Sequence, residues 1–379
     1  MKRIPFFQHD LGDAEVDAFR AALAGPILTT GDTVATFETR FAAALGAPHA
    51  IGVTSCTAAL HLALLAVGVG AGDEVITTPM TFVATATAIV QAGARPVFAD
   101  VEPDTGNLDA AAVAAAVTPR TRAIVPVHLF GHMCDMRALR ALADRHRLAL
   151  IEDAAHCLEG TRDGVRPGML SDAACFSFYA TKSITSGEGG ALVTRDAALA
   201  ERLRLLRQQG LTSGAAERER HGYRHRDVVA MGWKYNMYNL QAAILLPQLD
   251  RLAANHARRA RLAARYLARL GGLAGVALPA TRPETRHAWH VFAVRVAADA
   301  RDPVVEGLQH AGVDVTVHYY PAVHLTAHFR RTLGHAPGAF PVAEAIAAET
   351  ISLPLHPGMP EADVDEVADR LAAVLRRHA

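Results

Sequence analysis

A single lysine, Lys182, lies among small and apolar residues in the segment FSFYATKSITSGEGGALVT, which spans residues 176–194. Burial favours the neutral form of an amine, so an enclosed lysine can act as a nucleophile or as a base. Two other reactive groups precede it in the chain: the carboxyl group of Asp153, with His156 three residues later, and the hydroxyl group of Ser177. Taken alone, a lysine is more often exposed than catalytic, so its neighbours in the fold decide between these interpretations.

The elements that must position these residues alternate between strands and helices from about residue 50. Short β-branched or apolar runs are followed by alanine-rich helical stretches, which predicts an α/β fold with a mostly parallel sheet and helices on both faces. The predicted strands are residues 50–55, 73–78, 95–100, 122–129, 148–153, 172–178 and 189–194. Ligands of such sheets bind beyond the carboxyl ends of the strands, where residues 55–57, Asp153 and Ser177 are expected.

Each of these groups has a use if the ligand is pyridoxal 5'-phosphate (PLP). The helix that begins near Thr57 offers free N–H groups and a positive dipole end to a phosphate, and Ser177 can add a hydroxyl donor. Asp153 can pair with the pyridine nitrogen and keep it protonated. Lys182 can form a Schiff base and carry a proton once a substrate amine has displaced it. The glycines of residues 187–190 let the backbone pass close to the cofactor.

The same motifs, in this order, resemble the DegT/DnrJ/EryC1/StrS family of sugar aminotransferases, which are fold-type I PLP enzymes. The likeness covers nearly the whole chain, and its most specific parts are DAAH (153–156), SFYATK (177–182) and GEGG (187–190). The resemblance implies a set of cofactor-binding residues: Cys56, Thr57 and Ser177 at the phosphate, Phe82 stacked on the pyridine ring, Asp153 at the ring nitrogen, His156 at the phenolic oxygen, Lys182 as the Schiff-base lysine, and Asn236 at the phosphate in the partner's site. It therefore also implies a homodimer with shared active sites.

The resemblance extends to residues that would bind the substrate. Residues 27–38 have the family's T-x-G-x-x-x-x-x-F-E form, so Thr30 is expected near the nucleotide; a plain loop and helix cap is the alternative. The resemblance also implies that His318, Tyr320 and His324 line the sugar pocket. A metal site is not expected at these histidines, because no carboxylate or thiolate at suitable spacing joins them.

Residues 232–237 read G-W-K-Y-N-M, whereas many family members read G-Y-N-x-R-M. The phosphate ligand in this segment is therefore either Lys234 or Asn236. The compact neutral amide of Asn236 is the favoured ligand, with Lys234 nearer the phosphates of the substrate. The K-Y-N version is similar to that of enzymes that aminate UDP-linked 4-keto sugars, which favours amination at C4.

The function implied is transfer of an amino group from L-glutamate, or L-glutamine, to a nucleotide-linked keto-sugar, with a 4-keto-6-deoxy sugar favoured. Two alternatives remain. Some relatives dehydrate the sugar, but they carry a histidine in place of the lysine, so Lys182 counts against this reaction. The chain could also be a non-catalytic sensor with the PLP fold, against which the intact Lys182, Asp153 and Ser177 argue.

Composition restricts the other function classes. Lys+Arg and Asp+Glu balance at 38 each, so charge favours neither a nucleic acid nor an anionic membrane as a partner. We expect no membrane span and no secretory signal, because no uncharged apolar window is long enough. The four cysteines lack CxxC spacing and indicate reduced thiols of a cytoplasmic protein.

The pattern of the chain changes after about residue 210. A charged loop with Arg218, Arg220, Arg224 and Arg226 could meet a diphosphate or form a solvated arm. One long helical pattern follows at residues 239–270, and then an α+β pattern with strands expected at 289–296 and 313–320. We therefore predict a large PLP-binding domain over residues 1–250 and a small C-terminal domain over residues 251–379.

Overall fold

The sheet that carries the candidate residues is built from short apolar runs, as predicted. The computed structural model describes residues 2–212, 225 and 227–378, and the strands in this part of the chain are β1 His49–Val53, β2 Glu74–Thr77, β3 Arg95–Phe98, β4 Thr121–Val125, β5 Ala149–Asp153, β6 Thr161–Arg162, β7 Ala173–Ser177, β8 Gly190–Thr194, β9 Thr285–Arg286, β10 Phe292–Arg295 and β11 Thr350–Leu353. One sheet has the strand order β1-β8-β7-β5-β4-β2-β3. Only β8 runs antiparallel to its neighbours in this sheet, which confirms a mostly parallel sheet.

Helices connect the strands. They are α1 Asp13–Leu23, α2 Asp32–Leu45, α3 Cys56–Ala66, α4 Ala84–Gln91, α5 Ala110–Ala116, α6 Met136–His146, α7 Ala197–Leu206, α8 Asn239–Leu270, α9 Ala298–His310, α10 Ala327–Leu333, α11 Pro341–Glu349 and α12 Glu361–His378. Helices α3, α5, α6 and α7 begin after a residue whose side chain caps them. The carboxylates of Asp135 and Asp196 accept hydrogen bonds from first-turn N–H groups of α6 and α7. First-turn N–H groups have no partner within their own helix, so these two caps define where α6 and α7 begin.

Both faces of the sheet are buried. Successive side chains of a strand point to opposite faces, so neighbouring residues pack in different cores. In β7, Ala173 and Cys175 pack in the core beneath α3, α4 and α7. Ala174 and Phe176 pack on the other face with α2 and α8. Helices therefore cover both faces of the sheet, as predicted.

A second core forms from the C-terminal part of the chain. It contains Tyr266 of α8, Phe292 of β10 and Ile351 of β11, and Ile4 joins it from the N-terminal segment. Strands β10 and β11 pair antiparallel there. The predicted domain boundary at residue 250 falls inside α8, so the division into residues 1–250 and 251–379 stays a prediction.

The strand predicted over residues 313–320 is wrong. In this segment Val313 forms a single bridge to Ile4, and Thr316 forms a single bridge to Ser352. The two bridges lead to different parts of the chain. The apolar alternation here therefore reflects burial against two partners and not one continuous ladder.

The sequence led to expectations about the cysteine thiols, about membrane-spanning helices and about the basic loop. The cysteines are all free and buried: Cys56, Cys134, Cys157 and Cys175. Across the described ranges, none of the helices is both long and apolar enough to cross a bilayer. The basic residues of the charged loop lie outside the described residues: Arg218, Arg220, Arg224 and Arg226.

Candidate active site

Asp153 and Ser177 end the neighbouring parallel strands β5 and β7, so both lie at the same edge of the sheet. Cys56 begins α3, shortly after β1 ends at the same edge. Lys182 lies in the loop between β7 and β8, where its backbone N–H donates to the carbonyl of Tyr179 at 2.9 Å. The fold thus gathers these side chains where ligands of parallel sheets bind.

The first turn of α3 presents free N–H groups at this edge. Ser55 is the N-cap, and its Oγ accepts a 3.1 Å hydrogen bond from the N–H of Ala58. The N–H groups of Cys56 and Thr57 have no partner among the described residues. With the positive end of the helix dipole, these groups can bind an anion such as a phosphate.

Gly190, the first residue of β8, passes directly against this turn. A Cβ atom on Gly190 would lie 2.6 Å from the N atom of Cys56 and 2.6 Å from the carbonyl oxygen of Ser55. We expected the missing side chain at Gly190 to make room for a cofactor. The structure shows that the backbone at the start of α3 requires it. Glycine is favoured at position 187 for a different reason: the φ of Gly187 is 79°, in the left-handed region that glycine adopts without strain.

The carboxylate of Asp153 is buried, and hydrogen bonds to both of its oxygens orient it. Its Oδ2 accepts from Oγ1 of Thr85 at 2.8 Å, and its Oδ1 accepts from the N–H of Ala155 at 3.2 Å. Burial raises the pKa of Asp153, and the hydrogen bond from Thr85 opposes this shift. A buried, oriented carboxylate of this kind is suited to pair with a cationic ring nitrogen.

Lys182 is partly exposed, and its Nζ lies 3.3 Å from Nε2 of His290. Burial lowers the pKa of its amine to about 8, although the nearby Asp153 acts to raise it. An amine with this pKa is partly neutral near neutral pH. Nucleophilic attack and proton uptake both require that neutral form.

His156 has a defined tautomer in this site. Its Nδ1 accepts from the N–H of Phe130 at 3.3 Å, and its Nε2 lies 3.2 Å from the hydroxyl oxygen of Tyr319. Burial lowers the pKa of His156 well below its ordinary value, so the ring is neutral. Because Nδ1 accepts, the proton is on Nε2, which can donate a hydrogen bond to an oxygen atom.

Thr30, Lys234 and Asn236 form a second group beside the end of β1. Nδ2 of Asn236 donates to Oγ1 of Thr30 at 2.7 Å, and its Oδ1 accepts from Nζ of Lys234 at 2.6 Å. The backbone of Asn236 also bridges to Val53 of β1. The structure therefore brings the predicted nucleotide residue and both candidate phosphate ligands together.

Phe82 and His318 border the cluster around Lys182 through Tyr319. The ring centroid of Tyr319 lies 5.9 Å from that of Phe82 and 5.0 Å from that of His318. Tyr320 is instead exposed, with the guanidinium of Arg301 over its ring at 4.2 Å. Of these two tyrosines, Tyr319 is the one that reaches His156.

His324 is fully buried, and its Nε2 is 3.0 Å from Oε1 of Glu344. Its ring packs against those of Phe98 and Phe340. The Nδ1 atom of His324 has no hydrogen-bond partner among the described residues, and the role of His324 at the substrate stays a prediction. Over the described ranges, no group of three or more His, Cys, Asp or Glu side chains is placed to hold a metal ion.

The residues at this edge fit PLP. The free N–H groups of α3 suit its phosphate, the buried carboxylate of Asp153 suits its ring nitrogen, and the amine of Lys182 suits its aldehyde. Sequence reasoning missed three further residues of the site, which are Thr85, His290 and Tyr319. Tyr319 directly precedes the predicted Tyr320, but no local signal marks the other two.

Comparisons with known proteins agree with PLP as the cofactor. A sequence model of the DegT/DnrJ/EryC1/StrS aminotransferase family matches residues 9–372. The spore coat polysaccharide biosynthesis protein SpsC of Bacillus subtilis is 40% identical over 98% of this chain and 97% of its own. The structure of DesI in the presence of its TDP-sugar product has a TM-score of 0.86 and 35% identity, covering 98% of this chain and 96% of that one. The PLP form of Spr1654 from Streptococcus pneumoniae has a TM-score of 0.93 and 29% identity, with 100% of both chains covered.

Proposed function

Because the chain belongs to the DegT/DnrJ/EryC1/StrS aminotransferase family and is a PLP-dependent sugar aminotransferase of fold type I, we propose that it transfers the amino group of L-glutamate, or L-glutamine, to a nucleotide-linked keto-sugar. The keto-sugar is a 4-keto-6-deoxy sugar. The observation that carries this proposal is the partly buried Lys182, with its pKa near 8, close to the buried carboxylate of Asp153. A lysine that must be a base in one half of a transfer and an acid in the other needs such a pKa.

When PLP is bound, its ring supplies an electron sink for the negative charge that develops at Cα of the amino donor. The first turn of α3 and the hydroxyl of Ser177 would hold the phosphate, and Asp153 would keep the ring nitrogen protonated. His156 would donate a hydrogen bond from Nε2 to the phenolic oxygen. Nζ of Lys182 takes the proton from Cα of the donor and holds it as an ammonium until it is returned.

The nucleotide-sugar part of the proposal is supported by two features. DesI, whose structure was solved with a TDP-sugar product, is similar to this chain over nearly its whole length. The segment with Lys234 and Asn236 is similar to that of enzymes that act on UDP-linked 4-keto sugars, which supports amination at C4. Lys234 can meet the diphosphate of the nucleotide with its charge.

We propose further that the enzyme is a homodimer in which Asn236 completes the partner's site. Apolar side chains near this segment are largely exposed: Val228, Val229, Met231 and Tyr238. An exposed apolar surface of this kind favours burial against a second protein. The cytoplasm as the place of action rests on the composition alone and stays a prediction.

The test of the amino transfer uses the PLP-loaded enzyme and L-glutamate, with L-glutamine in parallel. We expect the visible absorbance of bound PLP to fall and the 2-oxo acid of the donor to appear in equal amount. A keto-sugar panel that varies the nucleotide and the position of the keto group should then restore the absorbance and yield an amino sugar. Wild-type protein that binds no PLP would overturn the proposal.

The two alternatives give different results in the same test. A PLP-binding protein that leaves glutamate and glutamine unchanged but releases water from a keto-sugar would be a dehydratase. One that changes neither donor nor sugar would be a sensor. The matched control is Lys182→Ala, which should remove the reaction while the fold persists.

A further inference from the structure

His290 contacts the amine of Lys182, although it comes from a distant part of the chain. Its Nε2 lies 3.3 Å from Nζ of Lys182, and the two residues are 108 positions apart. His290 lies two residues before the start of β10, in the C-terminal part of the chain. The contact therefore joins a residue outside the large sheet to the reactive amine at its edge.

A hydrogen bond of its backbone and the packing of its ring hold His290 in place. Its backbone N–H donates to the carbonyl of Phe130 at 3.1 Å, and the N–H of Phe130 donates to Nδ1 of His156. Phe130 makes both bonds with a φ of 57°, in the left-handed region. The rings of His156 and His290 also pack with centroids 4.4 Å apart. The fold itself thus aims His290 at Lys182.

The chemistry of the pair defines which atom donates. A protonated lysine has N–H donors and no acceptor, so Nε2 of His290 must offer its lone pair to Nζ. The pKa of His290 is well below its ordinary value, because of burial and the positive charge of Lys182, so the ring is neutral and able to accept. The ionisable groups that act on either member of the pair are Cys56, Asp153, His156, His318 and Arg259.

We propose that His290 is the positioning residue of Lys182: its Nε2 accepts a hydrogen bond from Nζ whenever this amine is not bonded to the cofactor. This inference rests on the proposed function, because it assigns Lys182 as the proton carrier. The proton moves from Cα of the amino donor to Nζ, and the ammonium donates it in a hydrogen bond to Nε2 without transferring it. His290 thereby keeps the charged amine at the place from which it must return the proton.

Two variants separate this role from simple packing. His290→Gln retains an acceptor near the position of Nε2 but loses the ring that packs on His156. His290→Phe retains the ring but loses the acceptor. If His290 acts only by packing, His290→Gln should lose more activity than His290→Phe. If His290 acts as the acceptor for Nζ, His290→Phe should lose more.

The first measurement needs no activity. The chain has three lysines, Lys2, Lys182 and Lys234, so acylation of each can be followed by peptide mass spectrometry in the PLP-free full-length protein. Without its acceptor, the ammonium of Lys182 is less stable. In His290→Phe the midpoint pH for its labelling should therefore fall by at least about one pH unit. It should stay near the wild-type value in His290→Gln, and Lys2 should be unchanged in all three proteins.

The second measurement is steady-state kinetics of the PLP-loaded variants. We expect kcat of His290→Phe to fall by at least about tenfold, with KM for the donor within about twofold, and His290→Gln to recover most of that loss. An unchanged labelling midpoint in His290→Phe overturns the proposal, as does a glutamine variant that is the slower of the two. The labelling result does not depend on the reaction, so a wild-type protein without aminotransferase activity would overturn only the proposed function.

Discussion

Oγ1 of Thr85, on α4, lies 2.8 Å from Oδ2 of Asp153, at the end of β5. The hydroxyl of Thr85 also lies 2.9 Å from that of Thr81, so it belongs to a short buried chain of donors. Among the described residues, the hydroxyl of Thr87, two residues further along the same helix, bonds only the carbonyl groups of Val83 and Ala84. Two threonines of one helix thus differ in whether they orient the carboxylate.

Thr85→Val should lower kcat by about tenfold, because one hydrogen bond to a charged group is lost. That bond lowers the pKa of Asp153. Its removal should raise the pKa and move the acid limb of the kcat/KM profile to higher pH. Thr87→Val is the matched control and should leave the profile unchanged. Equal profiles for the two variants would contradict the assigned role of Thr85.

Gly190→Ala should destabilise the protein by about 2–3 kcal/mol, because the new methyl group overlaps the backbone of Ser55 and Cys56. It should also weaken PLP binding by displacing the first turn of α3. Gly187→Ala, where nothing lies within 4 Å of the added atom, should cost only about 1–2 kcal/mol of backbone strain and leave PLP affinity unchanged. Urea unfolding and PLP titration of both variants check this, and equal PLP affinities would contradict it.

The pKa of Lys182 predicts a pH dependence of stability in the PLP-free protein. It is about 8 in the folded chain, below the ordinary 10.5, so the unfolded chain binds more protons between these values. The free energy of unfolding should therefore rise with pH across this window, by about 1–2 kcal/mol once partial exposure is allowed for. Lys182→Met lacks this titration. Unfolding curves of wild type and variant that run parallel from pH 8 to 10 would exclude the lowered pKa.

Glu152 precedes Asp153 and is fully buried on the opposite face of β5. Its Oε2 lies 2.6 Å from Nε2 of His128, and its Oε1 accepts from the N–H of Gly168 and the hydroxyl of Ser171. In Glu152→Gln the amide N–H₂ must face one of these donors. We therefore expect the free energy of unfolding to fall by about 3 kcal/mol. The control is Glu188→Gln, at an exposed position within GEGG, which should have little effect. Similar stability of both variants would contradict the assigned hydrogen bonding.

Mixing two inactive variants tests the shared site. Lys182→Ala and Asn236→Ala should each have low activity alone. If Asn236 completes the partner's site as proposed, a mixed dimer has one intact site, to which the Lys182→Ala subunit supplies Asn236. Random mixing after unfolding and refolding should therefore restore about a quarter of the wild-type activity. No recovery, although mixed dimers form, would show that Asn236 acts within its own subunit.

Much of the fold and part of the site could be predicted because their signals are local. β-branched runs, helical periodicity and caps such as Ser55 identify the strands and helices of the sheet. The motifs with Asp153, Ser177 and Lys182 follow those strands directly, so the topology places them at one edge. Where an apolar pattern arises from contacts with several partners, as in residues 313–320, the same reasoning predicted a strand that does not form.

The sequence by itself determined the mostly parallel sheet and the family, and it predicted Lys182 as the reactive lysine. Only the tertiary structure decided that His290 faces Lys182, that Thr85 orients Asp153, and that His324 is buried. It also decided that the backbone of α3 is what requires Gly190. The physical reason is the range of the interactions. Hydrogen bonding and side-chain periodicity within one element are encoded over a few residues, whereas contacts between residues 68 or 108 positions apart exist only once the elements have packed.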